Sequence, residues 1–112
     1  MIDSFCNSET QLASMKEQRE KILADLHIDV YYKFGELCHF QELYEESIPY
    51  FSKVTELCAT VGKGSRANMK TSATAFFEVG SSYSQLKKSQ DATKNYKLAL
   101  EILKKLICLE YN

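Results

Sequence analysis

The chain has 112 residues, of which 45% are hydrophobic and 26% charged, with a formal net charge of −1. That is the size and composition of one small soluble domain, and one proline with four glycines excludes collagen-like and low-complexity chains. No uncharged apolar run approaches the roughly 20 residues that cross a bilayer. Asp3 stands where a secretory signal would carry its basic region, so the expectation is an intracellular, cytoplasmic protein without a membrane partner.

The charge is not evenly spread. Residues 1–56 hold 11 Asp and Glu against 5 Lys and Arg, a net of −6. Residues 57–112 hold 4 against 9, a net of +5. The overall balance argues against nucleic acid as a partner, whereas the asymmetry suits an acidic partner on the second half or head-to-tail self-association. The plainer reading is a set of solvated helix faces. The four cysteines, Cys6, Cys38, Cys58 and Cys108, form no CxxC pair. Zinc sites draw paired ligands from tight turns, and secreted scaffolds are denser in cysteine. Free thiols in a reducing compartment fit better, with no metal and no cofactor.

Helical spacing of apolar residues recurs throughout, and strand-type alternation is absent. The first predicted helix runs from Ser8 to Leu26, opened by a capping-box pattern, Ser8 to Gln11, and striped by Leu12, Met15, Ile22 and Leu26. The second covers His27 to Phe40 and could continue the first, since no breaker lies between Asp25 and Ile28. The third runs from Tyr44 to Thr60, with Pro49 expected near its first turn. The segment Val61 to Ser65, with Gly62 and Gly64, then breaks the helix. The fourth runs from Arg66 to Lys87 with Ser65 as N-cap, and the fifth from Gln90 to Leu109 with Ser89 as N-cap.

Two stretches repeat each other at a period of 45 residues. Laying Gly35 on Gly80 also lays Ser47 on Ala92, Phe51 on Tyr96 and Val54 on Ala99. A helical glycine costs about 1 kcal/mol against alanine. Its recurrence in register predicts close approach of a neighbouring helix, with small residues and one aromatic ring facing it. Periods of this length mark stacked helix–turn–helix arrays.

In the second repeat the order is Phe76, Val79-Gly80, Tyr83, Ala92, Tyr96, Ala99. In the first it is Tyr31, Phe34-Gly35, Cys38, Ser47, Phe51, Val54. This pattern resembles the tetratricopeptide repeat (TPR), in its long-repeat form. The resemblance covers about residues 28–107, although the family's terminal proline is replaced by Ala59 and Lys104. It implies an all-α, TPR-like solenoid of about five antiparallel helices. Residues 1–27 would form an N-terminal packing or capping helix. The repeats would be 28–62 and 73–107, joined by a loop and a helix extension, with 108–112 as a tail.

No catalytic constellation is present. Adjacent Cys38 and His39 point about 100° apart on a helix, and adjacent Glu45 and Glu46 cannot flank one bond. Gly62-Lys63-Gly64-Ser65 lacks the first glycine of a phosphate loop, Leu57 standing there after a helix rather than a strand. An anion site at Lys63 and Arg66 is the weaker residue of that idea.

The resemblance therefore implies a non-enzymatic scaffold or adaptor that binds a peptide or helical segment of a protein partner in a concave groove. By the same resemblance the groove is lined by Asp29, Tyr32, Glu36, His39 and Phe40 in the first repeat. In the second it is lined by Phe77, Ser81 and Gln85, with Thr74 and Ser84 alongside. The family's Lys and Asn carboxylate clamp is missing at these positions. Tyr32 and Phe77 flanked by Asp29 and Glu36 should prefer an apolar, partly basic segment. Exposed Ile107, Leu109 and Tyr111 suggest self-association into a homo-oligomer. Alternative readings are a regulatory domain that senses a small peptide and an accessory subunit of an enzyme complex.

Overall fold

A computed structural model describes the backbone of residues 2–61 and 65–111, and the side chains of 9–60 and 65–110. The described elements are four helices: α1 (Ile2–Phe40), α2 (Tyr44–Val61), α3 (Arg66–Gln85) and α4 (Ser89–Tyr111). They pack in chain order, α1 on α2, α2 on α3 and α3 on α4, into a thin layer with extents of 67 × 35 × 17 Å. The architecture is the all-α, solenoid-like stack that the repeat implied, with one correction. The expected first and second helices are one 39-residue helix. Nothing between Asp25 and Ile28 interrupts the backbone hydrogen bonds, so the capping-box pattern at Ser8 lies inside a helix. The Ser8 side chain falls outside the described residues.

The turns explain where helices stop. Glu42 and Lys87 adopt left-handed backbone, with φ of 64° and 63°. At the first turn Leu43 N–H donates to Cys38 O at 2.8 Å and Glu42 N–H to His39 O at 3.0 Å. At the second, Lys88 N–H donates to Tyr83 O and Lys87 N–H to Ser84 O at the same distances. This is the Schellman termination, made twice without a glycine. The next helix begins at once, because Leu43 O and Lys88 O accept from Ser47 and Ala92 N–H. Lys88, not Ser89, therefore holds the N-cap position of α4. Ser65 does cap α3, its hydroxyl accepting from Asn68 N–H. Pro49 lies in the second turn of α2 rather than the first, so the Glu45 carbonyl has no i+4 N–H to accept from.

The core is centred on α2. Ile28 from α1, Phe51, Val54 and Cys58 from α2, and Ala75 and Val79 from α3 form one buried cluster. The glycines behave as their register demands. A Cβ on Gly35 would stand 2.8 Å from the Phe51 ring, and one on Gly80 would stand 2.8 Å from the Tyr96 ring. Tyr32 meets the Phe51 ring edge-on at 5.4 Å, and Phe77, 45 residues on, meets Tyr96 at 5.5 Å. One buried polar link crosses α2 to α3: the Ser47 and Ser82 hydroxyls lie 2.7 Å apart. The Ser47 hydroxyl also donates to Tyr44 O, so the Ser82 hydroxyl supplies the proton between the two.

Candidate functional site

Helices α1 and α3 lie side by side, held by α2 behind them. A cleft of about 280 Å³ runs between them, lined by Asp29, Tyr32 and Lys33 of α1 and Lys70, Thr71 and Thr74 of α3. It adjoins a wider cleft of about 620 Å³ that shares Asp29 and Thr71 and extends past Ile28 and Asp25 to Lys21, with Ser65, Ala67 and Asn68 opposite. Further along the same pair of helices, His39 Nε2 approaches Glu78 Oε2 at 3.8 Å, both side chains a quarter exposed. That is too long for a hydrogen bond, and Nε2 has no other partner. The His39 ring is fixed instead by edge contact with Tyr44 at 5.1 Å.

The electrostatics of this face are negative around Tyr32. Burial, then the carboxylates of Glu78 and Glu36, push the Tyr32 phenol above its ordinary range. The Lys33–Glu36 pair at 3.3 Å is solvent-exposed and offsets little of that field.

Of the groove residues expected from sequence, Asp29 and Tyr32 line the cleft directly. His39 faces Glu78, and Glu36 acts on Tyr32 through its charge. Phe77 is half-exposed above Tyr96. Phe40 is almost fully exposed at the end of α1, Gln85 is exposed at the end of α3, and Ser81 is partly covered. Lys33, Lys70, Thr71 and Glu78 were missed. Thr71, Thr74, Glu78, Ser81 and Gln85 recur at three and four residues, and that spacing was the signal available for the face of α3.

The remaining candidates resolve simply. Arg66 donates to the Leu109 carbonyl at 3.2 Å, in the last turns of α4, and Lys63 lies outside the described residues. Ile107 and Leu109 are exposed but on different sides of α4, Leu109 sharing a shallow cleft with Met69. The Tyr111 side chain lies outside the described residues. Cys38, Cys58 and Cys108 are free, and burial, then the nearby Asp25, raises the Cys58 thiol above its usual range. Among the described residues no His, Cys, Asp and Glu cluster could hold a metal, and no helix is long and apolar enough to cross a membrane.

A stack of helix pairs with aligned glycines, left-handed turns and an inner α1/α3 face defines a class of repeat protein built to present a surface. The family model described as tetratricopeptide repeat matches residues 28–60 and 73–105, more than half of the sequence, and the chain belongs to that family. TPR repeats are in general protein–protein interaction motifs, and the family is one of non-enzymatic modules. No curated protein and no solved structure matches the chain.

Proposed function

We propose that the chain binds a segment of a protein partner in the α1/α3 groove, with residues 28–107 as the binding unit and 1–27 as its capping extension. The observation that carries this is the cleft between the two inner helices, with Tyr32 at its wall under the field of Glu78 and Glu36. An aromatic face in a negative field favours a cation and an adjoining apolar chain. Asp29 adds a third carboxylate in the cleft, where Lys33 and Lys70 also stand, so the cation preference belongs to the Tyr32 end near Glu36 and Glu78, and Phe77 is half-exposed on α3. The ligand class is therefore an apolar segment carrying Lys or Arg.

Fluorescence anisotropy with two labelled helical peptides of equal length, one Leu/Lys and one Leu/Glu, tests this. The Leu/Lys peptide should bind at least about tenfold more tightly. Glu78→Gln, which keeps the side-chain shape, should weaken it. Equal binding of the two peptides, or no change in Glu78→Gln, overturns the reading.

A further inference from the structure

The 45-residue register gives every surface of one repeat a counterpart in the other. At the central joint, α3 turns Ala75, Val79 and Ser82 toward α2, and all three are buried. On α1 the same three positions are Val30, Phe34 and Leu37, which are 50%, 48% and 52% exposed. On α2, Cys58 is buried in the cluster that holds Ala75 and Val79, and Thr55, one turn before it, is partly buried. Their counterparts on α4 are Leu100 and Leu103, 51% and 45% exposed. The chain thus closes this joint once in its middle and carries two complementary halves of it at opposite ends, half-exposed among the described residues, with Phe34 also stacked on Tyr50 at 5.3 Å. At Val30, Phe34, Leu37, Leu100 and Leu103 the outer halves hold larger apolar side chains than the corresponding positions of the closed joint.

We propose that a second copy of the chain occupies these faces, with α4 of one copy docking on α1 of the next. Two observations argue for this occupant. The first is register. At the central joint Ser47 lies on Ser82, and the helices run antiparallel. Shifting that contact by one repeat places Ala92 on Leu37. Counting on in opposite directions brings Tyr96 beside Phe34, Leu100 beside Val30, and Leu103 beside Leu26. One further turn brings Ile107 beside Ile22, on the part of α1 that outruns α2. Apolar residues thus face apolar residues along the whole contact. The second is charge. The end built by α1 belongs to the half with net −6, and the end built by α4 to the half with net +5. Opposite ends attract, and like ends repel, which disfavours a two-fold dimer through α1 alone. The two faces differ, so the contact is head-to-tail, and a pair of copies keeps one free face of each kind for a third copy.

The proposal does not depend on groove binding, since it uses the outer faces of α1 and α4. The test is sedimentation velocity on the whole chain across concentration, with Val30→Lys and Leu100→Lys. Lysine is placed on both faces so that the altered faces cannot attract each other, and buried there it is uncompensated. The wild-type mass should rise with concentration past that of a dimer. Each variant alone should associate at least about tenfold more weakly. An equimolar mixture should form a species of two chains and stop, because one intact α4 face meets one intact α1 face. Leu26→Lys and Leu103→Lys repeat the test if circular dichroism shows that either first variant has lost helix. A wild-type chain that stays monomeric at its solubility limit overturns the proposal. So does a dimer that survives both substitutions, or a mixture that remains monomeric.

Discussion

Gly35 and Gly80 show how much one missing methyl group decides. A Cβ at either site meets a ring at 2.8 Å, closer than van der Waals contact allows. Overpacking of this kind costs about 1–3 kcal/mol, set against about 1 kcal/mol of helix propensity gained by alanine. The two sites differ in what can yield. Phe51 is fully buried and has nowhere to go, whereas Tyr96 is partly exposed and can swing outward, leaving the Ala92 carbonyl at 3.2 Å as the milder contact that stays. Gly35→Ala should therefore lower stability by about 2 kcal/mol and Gly80→Ala by about 1 kcal/mol or less, read from urea midpoints. The serine pair makes a second residue-scale case. Ser47→Ala leaves the Ser82 hydroxyl buried without its partner, while Ser82→Ala leaves Ser47 its bond to Tyr44 O. Ser47→Ala should cost about 1–2 kcal/mol and more than Ser82→Ala, and the double variant less than the sum of the two. Tyr32 gives a pH dependence. Its phenol is held protonated above the ordinary range by burial and by Glu78 and Glu36. The unfolded chain ionises first as pH rises, so this contribution is complete at neutral pH and is lost on the alkaline side, through about pH 10 and above. Tyr32→Phe should flatten the fall in urea midpoint over that window, compared with wild type.

At the scale of elements, the helix interiors were legible and the ends less so. The 45-residue register located the paired glycines, the rings beside them and the small residues of α2 and α4. Physical packing dictates those positions directly, and the structure places each of them as expected. Helix ends are set by backbone groups that side chains report only weakly. Ser65 caps α3 because its hydroxyl reaches Asn68 N–H, but Ser89 sits one residue inside α4, where the tight left-handed turn already supplies the start. That turn lacks the glycine that usually signals it. A left-handed non-glycine residue costs roughly 1–2 kcal/mol. Lys87 is exposed, so Lys87→Gly removes strain without removing a buried contact. It should raise stability by about 1 kcal/mol, visible as a higher urea midpoint, offset in part by the greater freedom of glycine when unfolded. The groove was only partly legible for a related reason. Asp29 and Tyr32 are positions that the resemblance to the repeat implies, whereas Lys70 and Thr71 of the cleft, and Glu78 further along, come from α3 across a joint of long range in sequence.

On the scale of the whole molecule, the chain is a row of helices in which each packs mainly on its neighbours in sequence, so stability depends on position in the row. α2 and α3 are covered on two sides and hold most of the buried cluster. Residues 9–23 of α1 are exposed along their length. A helix without packing is marginal in water, so amide hydrogen exchange should be fastest there and slowest in the middle of α2 and α3. Concentration should change that profile unevenly. Where copies stack head-to-tail, protection should rise over residues 22–37 and 92–107 together and leave 44–60 and 75–82 as they were. A peptide held in the α1/α3 groove would instead slow exchange in α1 and α3, around Asp29 and Thr74, and leave α4 unchanged. Exchange measured at low and high protein concentration, then at low concentration with the Leu/Lys peptide, therefore separates the outer faces from the inner one. Protection of α1 without α4 at high concentration would count against stacking, because the proposed joint covers both helices at once.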